Sequence, residues 1–569
     1  MLYGYIQTFG SFIFFLSISL FLGYFLGKYI YNYIYLDKKI KFLSKIIDPI
    51  TNTILKLSGT NANVSMKPKT YLFHLLAFSF IGFILLFLLL INQGYLFLNP
   101  NGVKNLRWDT ALNAAFSFVT NTNWQSYRGE TDLSYLSQTL GLTTQNFLSA
   151  GVGICVLFVL IRGFTNVQNK LVGNFYLDLV KTIIYLLLPL SIVGAIILIS
   201  QGVPQTYGPN QTITTLLGNT NQTIYLGPVA SQIIIKELGS NGGGFFGANA
   251  AHPFENPNAF TNMIQSISML LIPISLCYTF GFAVKDKKQG SMMLKAMTFL
   301  FVISLILYSS AEFGYKTTIG ENTYIGNLYG KDSRFNIGDT AFWSVSTTAT
   351  SNGSTNSNLS YGTPLGTLVL IFLMQLGEIV YGGVGSGLYG MISFVLLTIF
   401  ISGLMIGKTP EYLSKKIDSF DMKMVCLMVL PAPVLSVLGT AITTLSPTLY
   451  GQTANSPYGF TSILYAFTSM ANNNGSSMSI FNSNTIYVNL FGGIIMAVCR
   501  FVPICAVILM AGNLGYKKLI ASSNNSLKTN NGIFASLLVG VILVVGALSF
   551  FPSWIIGPIS GQIDQNLWI

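Results

Sequence analysis

Four uncharged stretches rich in Gly, Asn, Ser and Thr are the part of this sequence best equipped to bind a small ion. They read Thr120-Asn-Thr-Asn-Trp-Gln125, Ser240-Asn-Gly-Gly-Gly-Phe245, Thr350-Ser-Asn-Gly353-Ser-Thr and Asn472-Asn-Asn-Gly475-Ser-Ser. They offer carbonyl and hydroxyl oxygens, and their glycines open backbone dihedrals closed to other residues. None holds a carboxylate, which argues against tight capture of a divalent ion by charge. Rings of backbone carbonyls can replace the hydration shell of a monovalent cation. With Gln125, Gly242, Gly353 and Gly475 as reference points, the spacings are 117, 111 and 122 residues. One such loop would read as an ordinary turn, since Gly, Asn and Ser favour turns as well. Four at equivalent positions favour a ring around an axis.

The elements around the loops supply that equivalence. A membrane span needs about 20 apolar residues, and ten segments qualify: 8–30, 70–92, 143–163, 174–200, 260–284, 291–311, 363–406, 421–445, 486–512 and 532–556. Before each loop lies a shorter helical stretch, at 109–119, 227–239, 339–350 and 457–471. The first is about 16 Å long, half a bilayer. A half-helix entering from outside aims the partial negative charge of its C-terminus at the membrane centre, where it favours a cation. The expected fold is an all-α integral membrane protein. Four pseudo-symmetric units of span, pore helix, loop and span surround one pore, with an extra helix at each end. The expected divisions are 1–69, 70–172, 173–289, 290–419, 420–530 and 531–569.

Composition agrees. Of 569 residues, 51% are hydrophobic and 8% charged, against roughly 25% charged in a soluble domain. The net charge of +12 is not one nucleic-acid-binding patch. Of 30 Lys and Arg, 21 fall at 28–69, 162–170, 285–295, 408–423 and 517–528, the connections after the odd-numbered spans. By the positive-inside rule those connections are cytoplasmic, which puts both termini and all four loops outside. The N-terminus lacks a basic leader and a small-residue cleavage site, so its apolar run is expected to be a retained helix. Cys155, Cys277, Cys426, Cys499 and Cys505 show no ligand spacing and read as small buried hydrophobes.

Ionisable groups inside spans are costly, at least about 2.5 kcal/mol for Arg. Arg500 lies mid-span just after the fourth loop. It could limit ion occupancy or turn an ion sideways; alternatively it pairs with carbonyls or Glu378 and pins the bundle. Glu378 precedes the Gly-rich run Tyr381-Gly-Gly-Val-Gly-Ser-Gly387, which breaks the seventh span and is tolerated only where it is buried or lines a cavity. With Gly382, Gly383, Gly385 and Gly387, these residues are candidates for gating or coupling. Lys181 is expected to snorkel, Glu237 to be structural, and His74 and His252 to be packing or loop residues. Gly242-x-Gly-x-x-Gly247 and Gly385-x-Gly-x-x-Gly390 satisfy the dinucleotide pattern without a βαβ unit. Gly403–Thr409 is one residue short of a P-loop, and no Asp-Lys-Thr-Gly phosphorylation motif occurs. ATP hydrolysis by this chain is not expected, and an intramembrane enzyme lacks the clustered His, Asp or Cys it would need.

The chain resembles the A subunit of the Kdp-type potassium-transporting ATPase, within the wider superfamily of four-repeat potassium transporters. The resemblance spans essentially the whole chain. It rests on the first loop, on Ser240–Pro257, on Met374–Gly390, on Gly407-Lys-Thr-Pro-Glu-Tyr-Leu413 and on Asn472-Asn-Asn-Gly-Ser476. It implies a potassium filter at Gln125, Gly242, Gly353 and Gly475, flanked by Thr122, Asn123, Trp124, Asn241, Gly243, Asn352 and Asn474. It also implies potassium as the transported ion, no organic cofactor, and an intramembrane tunnel towards a separate P-type ATPase subunit (the B type) that holds ATP and Mg²⁺. A C-type accessory subunit and a small single-span F-type subunit are implied partners, in a prokaryotic cell membrane. A stand-alone Trk- or Ktr-like permease is the alternative. Ser354-Thr355 and Asn352 depart from the family's third loop, and Gln125 stands where symmetry suggests glycine; its amide either adds an oxygen or fills a gap beside Trp124.

Overall fold

The structure, a computed structural model, describes all residues except 1, 39–40, 63, 217, 219, 320, 408, 452–453, 521–527 and 569. Lys408 of the P-loop-like run therefore lies outside the described residues.

Among the described residues, ten helices are long and apolar enough to cross a membrane: Thr8–Tyr35, Pro68–Tyr95, Ser137–Thr165, Phe175–Ser200, Ala259–Ala283, Lys287–Gly314, Ser386–Ile406, Ser419–Leu445, Ile486–Tyr516 and Gly532–Ile563. The expected 363–406 span divides into Pro364–Gln375 and Ser386–Ile406, with the Gly-rich run between them. Among the described residues, three two-stranded hairpins, at 211–224, 316–325 and 411–416, depart from the helical pattern.

Burial separates the two spans of each repeat. The third and fifth spans, each the second of its repeat, are 83% buried, whereas the second and eighth, each the first of its repeat, are 22% buried. Within each repeat the second span is the more buried, by a wide margin in the first, second and fourth repeats and only by 61% against 56% in the third. Between them stand the four short helices Trp108–Val119, Val229–Leu238, Ile337–Ala349 and Pro457–Ala471. Their starts are set by local chemistry. Asn336 caps the third through Asp339 N at 2.7 Å, and Ser456 caps the fourth through Gly459 N at 3.1 Å with Pro457 as first helical residue. Asp109 and Asp339 occupy first turns, where negative charge suits the helix dipole.

The connections after the odd-numbered spans meet at one end. The buried Lys415 ammonium donates to Gly163 O and Leu514 O at 2.8 and 2.7 Å, and to Asn166 O, closing the exposed carbonyl ends of two spans. Beside it Arg162 makes a bidentate pair with Asp178 at 2.6 and 2.7 Å. Lys181 is buried and paired with Asp37 rather than snorkelling. The four loops and the 211–224 and 316–325 hairpins occupy the opposite end, tied by Arg107 to Asn484 and by Arg334 to Ala251 and Asn256.

Candidate functional site

Each short helix ends in the same way. Thr122 N donates to Ser117 O, Asn241 N to Lys236 O, Asn352 N to Thr347 O and Asn474 N to Ser469 O, all at 2.8–2.9 Å and all five residues back. The residue on either side of each of these four has positive φ: Asn121 and Asn123, Ser240 and Gly242, Ser351 and Gly353, Asn473 and Gly475. This common geometry fixes the register between loops. The first-loop counterpart of Gly242, Gly353 and Gly475 is therefore Asn123, not Gln125, and Asn123 is separated from Gly242 by 119 residues.

The loops then close end to end. A Cβ on Gly242 would lie 1.6 Å from Asn352 O, one on Gly353 1.9 Å from Asn474 O, and one on Gly475 2.1 Å from Thr122 O. The second loop thus abuts the third, the third the fourth, and the fourth the first. Asn123 completes the circuit by donating from Nδ2 to Gly242 O at 2.9 Å. Side chains two residues earlier run the same way: Asn121 Nδ2 donates to Ser240 O, Ser351 Oγ to Asn472 O and Asn473 Nδ2 to Thr122 Oγ1, at 2.7–2.9 Å. These positions were not singled out from the sequence. Aligning the short helices at Ser117, Lys236, Thr347 and Ser469 would have found them.

Gln125 offers its amide to backbone, not to the ring. Its Nε2 donates to Gly244 O at 2.9 Å while its Oε1 accepts from Gly244 N at 3.0 Å, a two-way brace between the first and second loops. Trp124 is buried, with its ring edge-on to Phe481. The third loop does not depart in chemistry from the fourth. Asn352 Oδ1 accepts from Ser354 N and Oγ, and Asn474 Oδ1 accepts likewise from Ser476.

The loops separate two cavities. One, of about 280 Å³, is lined by Asn123, Gln125, Gly243, Gly353 and Gly475. The other, of about 80 Å³, is lined by Asn472, Asn473, Glu378, Ser386 and Arg500. Asn472 and Gly475 belong to one loop yet border opposite cavities, so this loop crosses the neck between them. The second cavity runs sideways to Met428, Val429 and Pro433, where the eighth span breaks, and to Ile542 and Phe550 of the last span.

Arg500 and Glu378 share this second cavity without forming an ion pair. Among the described residues, Arg500 Nη2 and Glu378 Oε1 have no hydrogen-bond partner. The Gly-rich break packs against the third span, where a Cβ on Gly385 (φ +89°) would lie 2.1 Å from Gly153 O. Gly382 and Gly387 approach each other too closely for a Cβ on either, and Gly383 accepts from Ser386 Oγ at 3.0 Å. Tyr381 hydroxyl bonds Thr298 Oγ1 at 2.5 Å. Glu237 supports the third loop through Ser354 Oγ at 3.2 Å. His252 stacks on Phe246 at 3.7 Å, and burial, with Arg334 nearby, pushes its pKa down to about 4. His74 meets Tyr176 at 3.3 Å. Cys155, Cys277 and Cys499 are buried and Cys505 partly so, but Cys426 is exposed, against expectation.

The profile of one family, described as the Potassium-transporting ATPase A subunit, matches residues 13–563. The chain belongs to the potassium-transporting ATPase A-subunit family. Its relatives include the potassium-transporting ATPase potassium-binding subunits of Listeria monocytogenes and Clostridium perfringens. The former, from strain EGD-e, is 49% identical over 521 residues, covering 91% of this chain and 92% of the relative. The latter is 49% identical over 537 residues, covering 91% and 93%. Among solved structures, the potassium transporter TrkH from Vibrio parahaemolyticus shares the fold of this A-subunit family member. Its TM-score is 0.52 at 15% identity, covering 87% of this chain and 97% of TrkH.

Proposed function

We propose that the four loops form a potassium filter, and that this chain is the non-catalytic subunit which selects potassium for an ATP-driven uptake complex. The observation that carries this reading is the cyclic closure of the loops. Three glycines and Asn123 sit edge to edge with backbone of the next loop, so uncharged backbone oxygens surround one neck between two cavities. Such a ring suits a weakly hydrated monovalent cation, and the names of the related potassium-binding subunits support potassium. Filter residues are Thr122, Asn123, Asn241, Gly242, Gly243, Asn352, Gly353, Asn474 and Gly475, with Trp124 and Gln125 as braces.

The loops face the outside and the lysine-bearing connections the cytoplasm, following the charge asymmetry. Potassium sheds water in the neck and enters the second cavity. There Arg500 repels a further cation and Glu378 offers a carboxylate. The cavity's sideways course supports delivery through the membrane to a P-type ATPase subunit, which binds ATP and Mg²⁺; the Gly-rich break gates that course. The C-type and F-type subunits complete the assembly in a prokaryotic cell membrane.

Gly242→Asp and Gly475→Asp test the filter. Each places a side chain and a charge where backbone of the next loop lies. Isothermal titration on the purified full chain is expected to show potassium affinity lower by at least about a hundredfold, the equivalent of ~2.7 kcal/mol. Unchanged affinity and unchanged preference over sodium in both variants would defeat the assignment.

A further inference from the structure

The four residues that accept the helix-ending bonds also brace the loops through their side chains, and one differs in kind. Ser117 Oγ donates to Trp124 O at 3.0 Å, Thr347 Oγ1 accepts from Gly353 N at 2.9 Å, and Ser469 Oγ accepts from Gly475 N at 3.0 Å. In the second repeat the equivalent residue is Lys236, whose Nζ donates to Gly243 O at 2.8 Å. Its side chain is 1% exposed and its counterion is the fully buried Glu255, with Oε2 at 2.7 Å; Glu237 Oε1 is 3.6 Å away. Glu255 Oε1 in turn accepts from Phe246 N at 2.8 Å, so the pair holds the loop at its middle glycine and again two residues past its last.

Burying two charges is costly, and the other repeats show that a neutral hydroxyl can fill this position. What sets the second loop apart is Gly242-Gly243-Gly244, the most pliable backbone of the four. A charge-assisted hydrogen bond is roughly twice as strong as a neutral one. We infer that the Lys236–Glu255 pair is a specificity-determining positioning element: it holds the triglycine backbone open at the size of a large monovalent cation and prevents collapse around a smaller one. The inference rests on the filter reading.

The test removes both charges together, so that neither is stranded. Lys236→Met/Glu255→Gln, in the full chain, is compared with wild type by titration of K⁺ and of Na⁺ and by thermal unfolding. Preference for K⁺ over Na⁺ is expected to fall by at least about tenfold, mainly through tighter Na⁺ binding. The Lys236→Gln/Glu255→Gln variant, with a side chain at 236 one bond shorter than lysine, keeps a neutral donor on the side of Gly243 and covers the case in which the first does not fold. Its preference is expected to fall as well, by less than in the Met variant. A folded variant of either kind with wild-type preference, whatever its unfolding temperature, overturns the inference. Gly353→Asp separates the two readings: if it leaves K⁺ binding intact the filter assignment fails, and if it abolishes binding while the charge-removed variants keep their preference, only the role of Lys236 fails.

Discussion

At residue 123 the ring places a side chain where the other three loops have none. Asparagine is among the few residues that tolerate the left-handed backbone required there, with φ +52°. Its amide is put to use, donating to Gly242 O and to Asn146 Oδ1 at 2.9 and 2.8 Å. Gln125, two residues on, holds Gly244 from both sides. Replacing it by leucine strips both bonds and leaves a peptide N–H and carbonyl to find other partners. At about 1 kcal/mol per bond, Gln125→Leu is expected to weaken potassium binding about thirtyfold while the chain still folds. Titration of the purified variant checks this, and an unchanged affinity would remove the bracing role. Had Gln125 supplied an ion ligand instead, Gln125→Glu would add charge to the ring and tighten cation binding. In the observed geometry it is expected to weaken binding, because a carboxylate cannot donate to Gly244 O.

At the scale of elements, the seventh span has two halves because its glycines let it pass the third span at backbone contact. Gly385 lies so close to Gly153 O that any side chain forces the segments apart, and its positive φ adds strain. Gly385→Val is expected to lower the thermal midpoint and abolish transport, whereas Leu388→Val, in the helix that follows, should be nearly neutral in transport. A Gly385→Val protein with normal uptake and midpoint would remove the break from the transport path. How much of this was legible in the sequence depended on scale. Ten apolar runs and four half-helices follow from hydropathy and length, which act locally. The register of the first loop did not, because Trp124 and Gln125 outweigh the small Asn123 to the eye; backbone dihedrals decide equivalence. The role of Lys236 was hidden for a different reason. A lone lysine in a half-helix shows neither its partner, 19 residues away, nor the carbonyl it holds.

For the whole molecule, the sorting of connections into two ends turns a charge count into geometry. Lys415 reaches a carbonyl in each of two spans and a third just past one of them, and that end also gathers Arg162, Asp178 and Lys517. The opposite end carries the loops and the exposed hairpin over 211–224, where Leu216 is fully exposed. The geometry fixes which residues share a side, and the proposal that the lysine-bearing side faces the cytoplasm rests on the positive-inside rule. In cells making the full complex, with Cys426 replaced by serine, Leu216→Cys is expected to react with a membrane-impermeant maleimide from outside. Lys56→Cys, exposed at the lysine-bearing end, is expected to react only after the cells are opened. The reverse pattern would invert the protein and make the 280 Å³ cavity a cytoplasmic mouth. Potassium would then leave, not enter, through the ring. Labelling therefore tests the direction of transport as well as the topology, because under the proposed filter reading the loops that select the ion must be the first to meet it.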